Sequence, residues 1–218
     1  MTSDDLWWNR LDSAADALTK DSPNGRYFTN LLTYFMCNYV SLRIVIYVAL
    51  MFLFMYIMGK MLSFSLNDKK WVSYFFSSLI ILASYSFFVL QIFNWISGFT
   101  NYVISIVISL SYLLYCFPIF EKNKLKKSGV YSVLWLIVGF LGSLCLESIT
   151  FYNIVLALFI IVLSATLLKY VNLSNITFLV GSLAGAVLMF SEKTYLNLSQ
   201  GADEISLRWF QFDFITWF

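Results

Sequence analysis

Two adjacent carboxylates, Asp4 and Asp5, stand near the start of the chain. Paired carboxylates at a membrane surface can take a proton as a general base, or hold a divalent ion through oxygen ligands. The competing reading is that they open a helix, where acidic side chains suit the positive end of the dipole; spacing alone favours this second reading. Arg26 follows the turn signal Ser22-Pro23-Asn24-Gly25 and precedes a helical stretch. A guanidinium beside free backbone N–H groups suits a phosphate or pyrophosphate head group. A non-specific contact with lipid phosphate competes with that reading. The segment Asn94-Trp95-Ile96-Ser97-Gly98-Phe99-Thr100-Asn101-Tyr102 reads as a polar, Gly-containing connection. Trp95 or Tyr102 could stack a sugar ring there while Asn94 or Asn101 bonds its hydroxyls, or the segment is a plain hairpin with interfacial aromatic residues. Glu147 is the one acidic residue between Lys127 and Lys169. So close to hydrocarbon, a carboxylate reads as functional before it reads as a loop cap.

The elements that must hold these residues are set by where charge is missing. Of 218 residues 60% are hydrophobic, 20% aromatic and 12% charged, against roughly 25% charged in an ordinary soluble domain. Such a chain is an all-α polytopic membrane protein of about six spans, since each span needs about 20 apolar residues. The spans are expected at 41–59, 71–92, 101–119, 129–146, 152–168 and 173–190. Residues 1–40 form an outer segment with the acidic motif, 41–190 the transmembrane domain, and 191–218 an aromatic tail that lies at the interface or begins a further span. Leu6, Trp7, Leu11, Ala14, Ala15 and Leu18 recur at helical spacing opposite Asp5, Asp12 and Asp16. That pattern predicts an amphipathic helix lying on the membrane. A second helical stretch runs from Tyr27 to Val40. Gly181 and Gly185 give the small-xxx-small pattern of close helix contact.

Charge also orients the chain. Lys60, Lys69 and Lys70, then Lys122, Lys124, Lys126 and Lys127, then Lys169 mark one set of connections. The positive-inside rule makes these cytoplasmic, which puts the N-terminal segment, Glu147 and the tail on the outer face. An outer N-terminus without a preceding span is unusual, so the alternative expectation is an upstream helix ahead of Met1. The sequence has no His, which removes the usual general base and the commonest metal ligand. Cys37, Cys116 and Cys145 lie in apolar surroundings without CxxC spacing and read as core residues. No P-loop and no dinucleotide fingerprint is present, and topology explains the lysines, so nucleic acid is not an expected partner. Asn197-Leu198-Ser199 is a formal glycosylation sequon.

Several of these segments together resemble a bacterial family of polytopic membrane proteins related to the GT-C glycosyltransferases and the GtrII-type glucosyltransferases. They are Ser3-Asp4-Asp5, Asn24-Gly25-Arg26-Tyr27, Trp95 to Tyr102, Leu146-Glu147-Ser148, and Gly181 to Met189 followed by a polar stretch with Arg208. The resemblance implies transfer of a sugar from a polyprenyl-phosphate carrier to an acceptor outside the cytoplasmic membrane, in cell-surface polysaccharide assembly or modification. By it, Asp4 or Asp5 falls where the family places its catalytic base or metal ligand, so a divalent cation is the one cofactor implied. Arg26 falls where the carrier phosphate would be contacted, and Glu147 falls on the cavity. The chain departs from the family in having no span before the acidic motif and fewer spans after the sixth. Two further readings stand beside this one. A non-catalytic membrane subunit or fragment would tolerate loss of Asp4 and Asp5, whereas a transporter or flippase of lipid-linked sugars would want ionisable residues at mid-membrane. Membrane lipid and other membrane proteins are the remaining expected partners.

Overall fold

The computed structural model describes residues 3–19, 24–65, 70–83, 94–122, 129–192 and 195. Every regular element among them is helical. In chain order these are α1 (Ser3–Trp8), α2 (Asp16–Thr19), α3 (Tyr27–Asn38), α4 (Val40–Ser65) and α5 (Lys70–Ala83). They are followed by α6 (Ile96–Phe120), α7 (Gly129–Gly142), α8 (Glu147–Leu168) and α9 (Leu173–Phe190). Four helices, α4, α6, α8 and α9, are long and apolar enough to cross a membrane. The shortest has 18 residues, about 27 Å at 1.5 Å per residue, close to the ~30 Å hydrocarbon core. The chain is thus an all-α polytopic membrane protein.

Of the two other expected spans, one is described only in part and one ends early. Of 71–92, only the part up to Ala83 is described. The helix expected over 129–146 ends at Gly142. There the chain turns, and the Thr150 hydroxyl donates to the Ser143 carbonyl at 2.9 Å, which fixes α8 to the end of α7. The described part of α7, 14 residues from Gly129, is about 21 Å long.

Apolar side chains cover the outside of the bundle and polar ones are turned inward. Val45, Phe52 and Val187 point outward, while Ser109, Asn153 and Asn175 are buried between helices, with Ser109 Oγ 2.7 Å from Asn153 Oδ1. Polar groups in hydrocarbon need partners within the protein. An aromatic core fills the bundle, with Tyr112 stacked on Phe178 at 3.6 Å and Trp135 edge-on to both. The glycine pattern places α7 against α9. A Cβ on Gly181 would sit 2.2 Å from the Leu136 carbonyl oxygen, and one on Gly185 2.6 Å from that of Phe140. Only bare backbones approach so closely. Cys37, Cys116 and Cys145 are buried free thiols, as their surroundings imply.

The N-terminal segment departs from the expected single amphipathic helix. It forms two short helices, α1 and α2, with no regular helix between Asn9 and Ala15. The faces are also inverted at its start: Asp5 is fully buried while Leu6 and Trp7 are exposed. The cause is a tertiary contact. Both Asp5 carboxylate oxygens accept backbone N–H groups of α6, from Ile96 at 3.2 Å and Ser97 at 3.1 Å. The first N–H groups of a helix lack intrahelical partners, and a carboxylate there also meets the positive dipole end. α1 therefore turns its acid inward.

That cap explains a second departure. The expected loop from Asn94 to Tyr102 is helical from Ile96 onward, and Asn101 and Tyr102 lie in a π-helical segment, Phe99–Ile104. Gly98 has φ −63°, an ordinary right-handed helical value, and is used for space. A Cβ on it would lie 2.3 Å from Trp95 Cε3, so the glycine lets the Trp95 indole fold over the first turn.

Candidate functional site

The polar residues singled out by the sequence gather at one end of the bundle. α6 and α8 both start there, α9 ends there, and α3 runs in from it. Gly25 makes the junction between α3 and α9. Its φ is +61°, which favours glycine, and a Cβ on it would sit 2.4 Å from the Met189 carbonyl oxygen. Lys122 and Lys169 follow the far ends of α6 and α8, away from Glu147 at the start of α8. Lys124, Lys126 and Lys127 lie outside the described residues.

α3 is built to face this end. Its buried side chains include Thr29, Asn30 and Thr33, an unusual polar stripe on a helix packed in a bundle. Thr29 Oγ1 lies 2.7 Å from Asn101 Oδ1 and 3.2 Å from the Cys145 carbonyl. Thr33 and Thr100 hydroxyls are 2.6 Å apart. This ladder ties α3 to the π-helical start of α6. A π segment widens one turn and re-aims its side chains, and such segments are frequent at functional sites. Here it is Asn101 and Tyr102 that are re-aimed.

Between α1, α3 and the start of α6 lies a cavity of about 380 Å³. Arg26, Asn24 and Asn30 form one wall; Trp7, Trp8, Trp95 and Tyr102 supply aromatic surface; Ser97 and Asn101 complete the lining. Trp95 and Tyr102 are 6.2 Å apart between ring centroids, inclined at 59°. The wall is organised through Asn24, whose Oδ1 accepts from the Arg26 N–H at 3.2 Å and from Asn30 Nδ2 at 3.1 Å.

Arg26 is held from behind. Its Nε donates to Glu147 Oε1 at 3.0 Å and its Nη2 to Oε2 at 2.8 Å, a side-on bidentate pair with each side chain 25% exposed. A guanidinium has five N–H donors. This pair engages two and leaves the Nη1 edge to meet another group. Tyr195 donates to Glu147 Oε1 and lies 2.9 Å from the Asn24 carbonyl. Tyr27 donates to Glu192 Oε2. That contact, followed by burial, pushes the Tyr27 phenol up to about 12. Burial first, then the Glu147 carboxylate, raises Tyr195 above the ordinary range.

Four of the expected binding residues, Arg26, Trp95, Asn101 and Tyr102, share this cavity. The other two expectations change. Glu147 does not line it; the carboxylate orients Arg26 instead. Asp5 does not line it either, because both its oxygens accept the N–H groups of α6. The Asp4 side chain lies outside the described residues, as do the Asn197 sequon and Arg208. Among the described residues no group of three His, Cys, Asp or Glu side chains could hold a metal. With Asp5 engaged, the described residues do not fit the divalent ion that the acidic motif suggests. Sequence reasoning missed Asn24 and Asn30 as wall residues. Asn30 was within reach, since it lies four residues after Arg26 and so on the same helix face. No known protein family, curated protein or solved structure matches the chain.

Proposed function

We propose that the chain is a glycosyltransferase-like membrane protein that holds the phosphorylated sugar head of a polyprenyl-phosphate donor in cell-surface polysaccharide assembly or modification. The observation that supports this reading is the convergence of Arg26, Asn24, Asn30, Asn101 and four aromatic rings on one cavity. About 380 Å³ is within the ~300–1,000 Å³ of small-molecule sites. The apolar C–H face of a pyranose packs on indole and phenol rings, amide groups bond its hydroxyls, and the outer edge of a guanidinium suits phosphate oxygens. The exposed apolar helices around the site would hold the polyprenyl chain in the same membrane.

In the reaction, an acceptor hydroxyl attacks the anomeric carbon. The bond from that carbon to the carrier phosphate oxygen breaks, and polyprenyl phosphate leaves with the electron pair. Arg26 offsets the charge on the leaving phosphate, and the hydroxyl proton passes to a carboxylate. With Asp5 committed to α6, we assign the base role to Asp4. The site end faces outward by the positive-inside argument, on the cytoplasmic membrane. The complete engagement of Asp5 favours a second reading, in which the chain binds the lipid-linked sugar as a non-catalytic subunit.

The test is sugar transfer from a labelled polyprenyl-phosphate hexose by membranes containing the protein. Asp4→Asn is expected to abolish transfer while leaving donor binding intact, and Arg26→Gln to weaken both. Donor binding without transfer by the wild type would favour the non-catalytic reading. Absence of donor binding by well-folded protein would overturn both.

A further inference from the structure

We infer that Tyr195, which lies outside the cavity, is a positioning residue for the anion-binding edge of Arg26. This rests on the reading of Arg26 as a phosphate contact. One phenol touches both sets of contacts that fix the polar wall. Its hydroxyl meets Glu147 Oε1, the same oxygen that receives Arg26 Nε at 3.0 Å. It also reaches the carbonyl of Asn24, whose side chain receives the Arg26 backbone N–H and Asn30 Nδ2. A quarter-exposed carboxylate on its own would let a guanidinium swing, because exposed ion pairs hold geometry weakly. The Tyr195 contact, the second on Oε1 and the third on the carboxylate, fixes the carboxylate plane and, through the bidentate pair, the guanidinium plane.

The ring of Tyr195 is itself anchored. It packs edge-on to Phe190 at 5.1 Å, and Phe190 lies 5.3 Å from Phe151 of α8. The Tyr195 N–H donates to the Glu192 carbonyl at 3.0 Å. The position of the hydroxyl is therefore set by the ends of α8 and α9, which form the bundle, and is transmitted to a wall built mainly on α3. Glu147 in this arrangement acts by orienting Arg26.

The test uses the full chain in a detergent free of phosphate and sugar. Tyr195→Phe keeps the ring contact with Phe190 and removes only the hydroxyl. The first readout needs no ligand: the rate at which phenylglyoxal modifies Arg26, measured by peptide mass spectrometry with Arg43 of α4 as internal reference. The variant is expected to react about 3- to 10-fold faster at Arg26, as for loss of one ordinary hydrogen bond, with Arg43 unchanged. The second readout is tryptophan fluorescence on titration with farnesyl phosphate or farnesol. Tyr195→Phe is expected to weaken farnesyl phosphate about tenfold and to leave farnesol unchanged. An unchanged Arg26 rate overturns the inference. Equal weakening of both ligands also overturns it, because that is the mark of a collapsed site. If the wild type does not prefer farnesyl phosphate over farnesol, the phosphate reading of Arg26 falls, and the modification rate still decides whether Tyr195 positions it.

Discussion

Replacing Asp5 separates a structural carboxylate from a catalytic one. Its side chain is fully buried, and its two oxygens accept the N–H groups of Ile96 and Ser97 at 3.2 and 3.1 Å. Asp5→Ala orphans both donors at the start of a 25-residue helix. At about 1–3 kcal/mol for each buried donor left without a partner, the variant should lose about 3–4 kcal/mol. Asp5→Asn keeps one acceptor oxygen and should lose about half of that, since an Asn cap remains competent. The assay is unfolding in mixed micelles with increasing mole fraction of dodecyl sulfate, followed by far-ultraviolet circular dichroism. The expected order of midpoints is wild type, then Asn, then Ala. Sugar transfer by the Asn variant should fall only in proportion to the folded fraction. An Asp5→Asn variant as stable as the wild type yet inactive would make Asp5 the base and the cap incidental.

Three further outcomes follow from the packing and the ionisable groups. Gly181→Val places a branched side chain against the Leu136 carbonyl, already 2.2 Å from a simple Cβ, and should cost about 3 kcal/mol in the same unfolding assay. Gly129→Ala, with nothing within 4 Å among the described residues, is the matched control and should be neutral or stabilising. Gly98→Ala should push the Trp95 indole off the first turn of α6, weakening farnesyl phosphate binding several-fold while the unfolding midpoint moves little. Tyr27 is held in its protonated form, with its phenol raised from 10 to about 12. Its contribution to stability is therefore whole below pH 10 and is lost as pH rises through about 12. The unfolding midpoint should fall more steeply between those values in the wild type than in Tyr27→Phe.

The features legible in the sequence are those set by local composition. Long uncharged stretches give the spanning helices because lipid leaves no other option for the backbone. The spacing of Gly181 and Gly185 gives the α7–α9 contact because close approach needs small residues four apart. Arg26 and the aromatic residues near position 95, singled out by their types, line one cavity. What was not legible depends on partners far away in the chain. Asp5 reads as the polar face of an amphipathic helix until the backbone it caps, 91 residues on, is known. The segment from Asn94 to Tyr102 has the residues of a turn, but that distant cap and the indole of Trp95 over Gly98 make it helical. Glu147 reads as a cavity carboxylate because its pairing with Arg26, 121 residues away, has no local signature. Tyr195 carries no signal at all, since its contact with Asn24 spans 171 residues.

The proposed role of the cavity walled by Arg26 and the aromatic residues is to take the phosphorylated sugar head of a lipid carrier. Three of the lining residues are tryptophans, Trp7, Trp8 and Trp95, so binding has a built-in reporter. The most direct measurement is the tryptophan emission of the purified protein titrated with a polyprenyl-phosphate hexose, compared with the same titration of Arg26→Gln. A saturable change is expected in the wild type, with at least tenfold weaker binding in the variant. A non-saturating change of equal size in both proteins, as for lipid partitioning into the micelle, would contradict it.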